Sequence, residues 1–190
     1  MLNQLRRALT LLVIFTALTG IAYPFAMTGV AGAVFPDAAN GSLVLRDGKV
    51  VGSRLIGQAF TRPEYFKPRP SAAGTGYDAS ASSGTNLAPT SAKLADRLKT
   101  DAETLRAAGI TGALPADAIT TSGSGLDPDI SPAYAEAQIA AVAAARGMPV
   151  ESLRGLVVEH TAGRTFGLLG EPRVNVLALN LALDQLAPKP

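Results

Sequence analysis

An uncharged stretch of 29 residues, positions 8–36, dominates the sequence, and Arg6 and Arg7 stand directly before it. A helix needs about 20 predominantly apolar residues to cross the hydrocarbon core of a bilayer. The stretch is therefore long enough to form a transmembrane helix. We predict an N-terminal tip and membrane anchor in residues 1–34, followed by one compact domain in residues 35–190.

A cleaved signal peptide is the alternative interpretation of the same stretch. Ala31, Gly32 and Ala33 form a small-residue site of the kind that signal peptidases recognise, and they follow the apolar run. The apolar core of a signal peptide has about 7–15 residues, however, and this run is longer. The sequence therefore favours a retained anchor.

The two arginines also predict an orientation for the helix. They carry the whole net charge of +2, because basic and acidic residues balance at 15 each in the rest of the chain. Lys and Arg next to a transmembrane helix stay predominantly on the cytoplasmic side. We therefore expect a cytoplasmic N-terminus and a domain outside the cytoplasm, which in a Gram-negative cell is the periplasm.

Composition excludes several classes of function. The chain has no Cys, which excludes a disulfide scaffold, a thiolate zinc site, an iron–sulfur cluster and a cysteine nucleophile. Its single His excludes a multi-histidine metal site. The neutral domain lacks the clustered Lys and Arg that a nucleic-acid-binding surface requires.

The remaining residues predict an α+β domain with few strands, three to four helices and a long irregular loop. Asp47 and Gly48 indicate the turn of a hairpin, and the Ser131 cap, Pro132 and Gly147 bracket an alanine-rich helix. The predicted elements are a hairpin over residues 43–56, an irregular stretch over 62–89, helices over 91–108, 132–146, 150–159 and 175–186, and a strand over 165–169. In the last helix, Val176, Leu179, Leu183 and Leu186 are expected to share the inward face.

Residues 62–71 combine three prolines with Arg62, Tyr65, Phe66 and Arg69. Arginine and aromatic side chains are enriched at binding hot spots, and proline lowers the cost of ordering a segment on binding. This composition predicts a contact surface for a partner. An ordered loop packed on the protein's own core is the alternative, and the sequence leaves both open.

Residues 122–128 are a candidate for chemistry. Ser122 or Ser124 with His160 and Asp127 would make a hydrolytic triad, but Ser122 occupies the first glycine position of the nucleophile-elbow pattern. The stretch leads to a helix N-terminus, which could bind an anion, yet it contains no basic residue. A turn before a helix is the simpler interpretation.

Metal binding is the remaining chemical alternative for this part of the chain. Asp127 and Asp129 could ligate Ca²⁺, but the further spaced oxygens of a loop site are missing. None of these patterns indicates an active site. They leave an anchored accessory or binding domain, and a membrane-anchored hydrolase is the least favoured alternative.

Several segments along the chain carry recognisable motifs: residues 53–58 with Phe60, 63–66, 69–72, 82–89, 122–132 and 170–177 with Leu179 and Asn180. Taken together, they resemble the small C subunit of the bacterial Kdp-type potassium-transporting P-type ATPase. The resemblance covers nearly the whole chain, and the motifs follow one another in the order expected of that family.

The resemblance implies a non-catalytic, single-pass subunit of the bacterial inner (plasma) membrane. The implied partners are a channel-like potassium-translocating subunit, an ATP-hydrolysing P-type pump subunit and the lipid bilayer, with no nucleic acid. No cofactor is expected to bind directly; ATP is expected to act through the pump subunit. The matching segments supply the candidate partner contacts: Gln58, Phe60, Tyr65, Phe66, Arg69, Ser122, Gly123, Ser124, Gly125, Asp127, Arg173 and Asn175.

The resemblance also implies a role as catalytic chaperone, in which the subunit raises the ATP affinity of the pump. A serine- and glycine-containing segment is invoked for this in the family, and the nearest candidate here is Ser82, Ser83, Gly84, Thr85 and Asn86. Direct nucleotide binding in a ternary complex with the pump is therefore an alternative. The arginine asymmetry opposes it, because it places the domain on the side of the membrane away from ATP.

Overall fold

The computed structural model describes residues 1–186, so the last four residues of the predicted domain lie outside the described part. The described residues divide into two compact units, one ending at residue 51 and the other beginning at residue 52. The structure is of the α+β class, as the sequence predicts, with a long apolar helix, few strands and several further helices.

The first unit begins with a continuous apolar helix, Leu2–Val34, of 33 residues. It consists of α1 (Leu2–Ala17), a π-helical turn (Leu18–Ala22) and α2 (Tyr23–Val34). At 1.5 Å per residue the helix is about 50 Å long, whereas the hydrocarbon core of a bilayer is about 30 Å thick. It is thus long and apolar enough to cross a membrane.

The π-helical turn accommodates Pro24. Proline has no backbone N–H, and its ring crowds the carbonyl four residues earlier, here that of Gly20. A wider turn at this point relieves the crowding. As expected of threonines in an apolar helix, Thr10 donates its hydroxyl to the carbonyl of Arg6 at 2.8 Å, and Thr19 donates to that of Phe15 at 2.7 Å.

A short helix α3 (Pro36–Ala39) and the hairpin of β1 (Leu43–Arg46) and β2 (Lys49–Ser53) follow. Asp47 and Gly48 adopt φ values of 51° and 75°, the left-handed pair that a two-residue hairpin turn requires. The predicted continuation of the hairpin through residues 55–56 is wrong. The strand ends at Ser53, whose hydroxyl accepts a hydrogen bond from Leu55 N at 3.1 Å and so replaces the next ladder contact.

Within its described residues, 52–186, the second unit contains five helices and a three-stranded antiparallel sheet in the order β3-β5-β4. The helices are α4 (Ala92–Ala107), α5 (Ala116–Ile119), α6 (Pro132–Arg146), α7 (Val150–Glu159) and α8 (Val176–Leu186), and the strands are β3 (Asp129–Ile130), β4 (Thr161–Ala162) and β5 (Arg173–Asn175). Val174 of β5 faces Ile130 on one side and Thr161 on the other.

The predicted boundaries of α6 are confirmed. The Ser131 hydroxyl accepts a hydrogen bond from Tyr134 N, Pro132 occupies the first turn, and Gly147 adopts the left-handed conformation after the last turn. The predicted strand over residues 165–169 is wrong. This stretch is a tight turn closed by a single bridge between Thr165 and Leu169, because Gly167 permits the positive φ that reverses the chain.

The core lies between α6, α7, α8 and the sheet. Its largest fully buried side chains are Phe66, Tyr134, Gln138, Ile139, Leu153, Val174, Leu179, Asn180 and Leu183. Burying one such apolar side chain contributes roughly 1.5–3 kcal/mol. Leu186, predicted to face inward, is exposed instead, because α8 reaches the edge of the core at its last turn.

Candidate functional site

The proline–aromatic segment, residues 62–71, crosses the core and is bound by two buried side-chain amides. Asn180 of α8 accepts from Phe66 N and donates to Phe66 O, both at 2.9 Å. Gln138 of α6 accepts from Lys67 N at 2.7 Å and donates to Lys67 O at 3.1 Å. Buried backbone groups need partners, and here the two amides supply what a neighbouring strand would supply.

A buried ion pair lies beside the same segment. Arg146 donates to Asp184 at 2.7 Å, and the two side chains are 1% and 5% exposed. Arg146 also donates to the carbonyl of Glu64 at 2.8 Å. Asp184 accepts from the Tyr65 hydroxyl at 3.1 Å. These added hydrogen bonds offset part of the desolvation cost of burying two charges.

Tyr65 and Phe66 therefore contact the protein's own core. Phe66 is fully buried, and the centroid of the Tyr65 ring lies 5.0 Å from the guanidinium carbon of Arg146 and 5.2 Å from that of Arg62. Phe60 packs against Tyr65 with the ring centroids 5.6 Å apart. The structure thus realises the second of the two sequence interpretations, an ordered loop. That these aromatic residues also contact a partner stays a prediction.

Arg69 connects the proline–aromatic segment to residues 120–127. Its guanidinium donates to Asp127 at 2.9 Å and to the carbonyls of Thr120 and Thr121 at 3.4 and 3.3 Å. Asp127 also accepts from Asp129 N at 3.0 Å. The pair Arg69–Asp127 is partly exposed, so it adds little to the free energy of unfolding. Its main effect is to fix the position of residues 120–127 relative to the proline–aromatic segment.

The two serine- and glycine-rich stretches meet in the fold. We call residues 82–84 and 122–125, where they touch, the Ser/Gly junction. Ser124 O accepts from Ser83 N and from the Ser82 hydroxyl, each at 3.0 Å. A Cβ at Gly84 would lie 3.1 Å from Gly123 O. The two backbones are therefore in close contact, although the two stretches lie far apart in the sequence. The contact leaves little room for a side chain at position 84.

Gly125 is the most constrained residue of the junction. Its φ is +66°, and a Cβ there would lie 2.6 Å from Ser83 O and 2.7 Å from Ala73 N. Ser71 closes the same region by donating its hydroxyl to Gly125 O at 2.6 Å and accepting from Tyr77 N at 2.8 Å. The glycine at position 125 thus permits close packing of three chain segments, residues 71–77, 82–84 and 122–125.

Gln58 and the preceding glycine lie on the flank of this junction. Gly57 N donates to Leu126 O at 2.8 Å, and a Cβ at Gly57 would lie 2.6 Å from Asp127 O. The side chain of Gln58 packs against Gly52. The matched segment at residues 53–58 is therefore part of the same packing unit.

Beside the junction is an open groove of about 370 Å³ whose lining includes Arg69, Asp117, Asp127, Asp129, Glu171 and Arg173. Asp129 contacts Arg173 at 3.1 Å and Asn175 at 3.1 Å. Burial raises the pKa of the Asp129 carboxyl, against the hydrogen bond from Asn175, which lowers it. Within residues 1–186 no group of three His, Cys, Asp or Glu side chains is arranged to hold a metal ion.

Asn175 and His160 each serve a helix end. Asn175 accepts from Ala178 N at 3.0 Å at the start of α8 and donates to Arg54 O at 3.0 Å. His160 Nδ1 lies 3.1 Å from Leu156 O in the last turn of α7, as expected of a helix-ending histidine. The hydroxyls of Ser122 and Ser124 lie 3.3 Å from each other.

Sequence reasoning missed the residues that hold the proline–aromatic segment: Gln138, Arg146, Asn180 and Asp184. A signal was present in two of them. Gln138 lies four positions from both Tyr134 and Val142, and so on the buried face of α6. Asn180 follows Val176 by the same spacing on α8. A polar residue at a core position predicts a buried hydrogen bond, though not its partner.

Comparison with known proteins gives one consistent result. The family model described as "KdpC: K+-transporting ATPase, c chain" matches residues 5–185. A potassium-transporting ATPase KdpC subunit of Caulobacter vibrioides is 59% identical over 189 residues, covering 99% of this chain and 96% of the relative. KdpC subunits of Methylobacterium nodulans and Koribacter versatilis are 58% and 53% identical, covering all of this chain and 100% and 98% of the relatives.

Proposed function

Since the chain belongs to the KdpC family of K⁺-transporting ATPase subunits, it is an accessory subunit of that complex, and we propose that its domain stabilises the assembly from outside the cytoplasm. The proposal has three parts: the side of the membrane on which the domain lies, the way ATP is reached, and the partners that the chain contacts.

The orientation rests on charge. Arg6 and Arg7 lie in the first turns of the Leu2–Val34 helix, and the next 29 residues carry no charge. The positive-inside rule then places the N-terminus in the cytoplasm. We therefore propose that the domain lies in the periplasm of a Gram-negative cell and that the chain crosses the inner membrane once.

The observation that carries the second part is the Ser/Gly junction. Phosphate-binding loops present free backbone N–H groups, commonly with a Lys nearby. Here Ser83 N and the Ser82 hydroxyl donate to Ser124 O, and residues 82–86 contain no Lys or Arg. This supports packing as the role of the segment. We propose that ATP is bound only by the pump subunit, and that any chaperone effect reaches it through the membrane helices.

The third part concerns partners. We propose that the apolar helix packs beside the potassium-translocating subunit and that the domain covers the outer face of that subunit. The P-type pump subunit would then sense the accessory subunit indirectly. Two features support this arrangement. The long apolar helix can make a contact within the bilayer, and the net-neutral domain that follows it can make a second contact outside the bilayer.

Thiol labelling tests the orientation directly. The chain has no Cys, so Ser82→Cys and Asn3→Cys each provide a single label site at an exposed residue. A membrane-impermeant maleimide applied to intact spheroplasts is expected to label Ser82→Cys, and to label Asn3→Cys only after permeabilisation. The reverse pattern would place the domain in the cytoplasm and overturn the proposal.

A photoreactive ATP analogue tests the second part. Applied to the complex purified with the full-length chain, the analogue is expected to label the pump subunit and to leave residues 82–86 unlabelled. Labelling within those residues, competed by ATP, would instead support the ternary-complex alternative.

A further inference from the structure

The loop of residues 164–171 presents three large apolar side chains to solvent. Phe166, Leu168 and Leu169 are 89%, 79% and 63% exposed. Clustered exposed apolar side chains on a folded domain mark contact sites. We call this loop the apolar knuckle; the packing of the core does not use it.

The knuckle is preorganised. Thr165 N donates to Leu169 O at 2.9 Å, and Leu169 N donates to Thr165 O at 3.0 Å. At its base Arg164 and Glu171 form an ion pair at 2.6 Å. Phe166 has a φ of +54°, a conformation that aromatic residues rarely adopt. Strained backbone conformations of this kind are concentrated at functional sites, and here the strained residue carries an exposed aromatic ring.

Charge distinguishes a protein cleft from a lipid surface as the occupant. The only basic residue of the knuckle, Arg164, is paired within it to Glu171, so the loop is neutral. Segments that bind anionic membranes carry several unpaired Lys or Arg, and interfacial anchors favour Trp and Tyr. The knuckle has neither feature. Its neutral, purely apolar tip complements an apolar cleft.

Size distinguishes a partner subunit from a second copy of this chain. An aromatic side chain buries about 150–250 Å², and even three side chains of that size bury less than the roughly 800 Å² per partner of a stable interface. The knuckle alone is therefore too small to hold a dimer. A contact as small as the knuckle can still bind when a second contact already holds the two proteins together. The knuckle is then present at a high effective concentration next to its binding site.

We propose that the apolar knuckle docks into an apolar cleft on the extramembrane face of another membrane-embedded subunit of the same complex. The inference rests on the proposed function, because the apolar helix in the shared bilayer is the second contact. Phe166 is the central side chain of this contact, and Leu168 and Leu169 flank it.

Co-purification of variants tests the proposal in the assembled complex. Phe166→Asn removes the ring and keeps a residue that tolerates positive φ; Leu168→Ser removes a flanking side chain. Leu55→Ser is the matched control, because Leu55 is 62% exposed outside the knuckle. With the complex captured through another subunit, Phe166→Asn combined with Leu168→Ser is expected to lower retention of this chain by about tenfold or more. Leu55→Ser should leave retention unchanged.

Equal retention of the double variant and the control would overturn the proposal. If the wild-type chain itself fails to co-purify, the proposed function fails instead. The thermal unfolding of each full-length variant in detergent is measured in parallel. If the unfolding midpoint of Phe166→Asn is unchanged, lost retention is attributed to the lost contact. If retention falls only in variants whose unfolding midpoint also falls, unfolding explains the loss, and the result counts against the proposal.

A fluorescent reporter identifies the occupant. Phe166→Cys in the otherwise cysteine-free chain is labelled with an environment-sensitive dye and placed in nanodiscs. A blue shift that requires the other subunits supports the proposal. A blue shift in nanodiscs holding this chain alone indicates lipid, and one that grows with chain concentration indicates a second copy; either result would refute it.

Discussion

Replacing Asn180 tests how the proline–aromatic segment is held on the core. Asn180 makes two hydrogen bonds of 2.9 Å to the backbone of Phe66, and both residues are almost completely buried. Asn180→Ala leaves a buried N–H and a buried C=O of Phe66 without these partners. The change thus removes the side-chain substitute for a strand at one residue and leaves the Gln138 contacts to Lys67 in place.

The expected loss follows from those two backbone groups. Leaving one buried polar group unsatisfied costs about 1–3 kcal/mol, so the loss of partners for both groups should lower the free energy of unfolding by about 2–6 kcal/mol. A domain of this size has a total stability of roughly 5–15 kcal/mol, so the effect is large. Gln185→Ala is the matched control, since Gln185 is exposed on the same helix and should change stability by about 0.5 kcal/mol or less.

Urea unfolding of the full-length chain in a mild non-ionic detergent measures both variants. Near-ultraviolet circular dichroism follows the loss of tertiary structure, because Tyr65 and Tyr134 are buried. Amide hydrogen exchange at Phe66 gives an independent reading and should accelerate in Asn180→Ala. A stability loss no larger than that of Gln185→Ala, with unchanged exchange at Phe66, would refute the account of this segment.

Three further changes probe neighbouring contacts. Asp184→Asn leaves the buried Arg146 charge uncompensated and should cost about 3–5 kcal/mol in the same urea assay; a loss below about 1 kcal/mol would contradict the buried pair. Gly125→Ala should cost at least about 1–3 kcal/mol because of its positive φ and the short approach to Ser83 O. Gly123→Ala should be nearly neutral, because no atom lies within 4 Å of the added Cβ. Equal losses of stability would contradict close packing at the Ser/Gly junction. Burial raises the pKa of Tyr77 to about 12, so the stability contributed by its neutral hydroxyl is complete below pH 10 and should be lost as the pH rises toward 12. Tyr77→Phe should reduce this alkaline loss of stability. Identical pH profiles for the variant and the wild-type chain would contradict this role of Tyr77.

Local signals in the sequence were sufficient for the long elements. The N-cap Ser131, Pro132 and the terminal Gly147 bound α6 as predicted, and Asp47 with Gly48 forms the hairpin turn. These signals are local, because a cap or a turn depends on residues only a few positions apart. The uncharged stretch likewise predicts its helix from length and composition alone.

The failures came where long-range contacts decide the structure. Strands β3, β4 and β5 have two or three residues each, too few for an alternating pattern to be detected. Residues 165–169 have strand-like composition, but Gly167 turns the chain and leaves Phe166 exposed. The pairing of α8 with the proline–aromatic segment joins residues 114 positions apart, which no local pattern encodes.

The glycine-rich motifs show a related limit. Residues 82–86 and 122–128 each resemble a ligand-binding loop when considered alone. Together in the fold they form the Ser/Gly junction, where Gly84 and Gly125 allow one backbone to approach the other. Sequence composition identifies a need for glycine, whereas only the contacts distinguish close packing from a bound phosphate.

The central claim, that this KdpC-family chain holds the potassium-transporting complex together through both a membrane helix and an outer domain, is most directly tested by affinity purification. The full-length chain with a C-terminal tag is captured from detergent-solubilised membranes, and the two larger subunits are quantified against it. We expect both subunits in fixed stoichiometry, and a strong reduction when residues 1–34 are replaced by an unrelated transmembrane helix of equal length. A full-length chain that elutes without them, or an unrelated helix that retains them equally well, would contradict the claim.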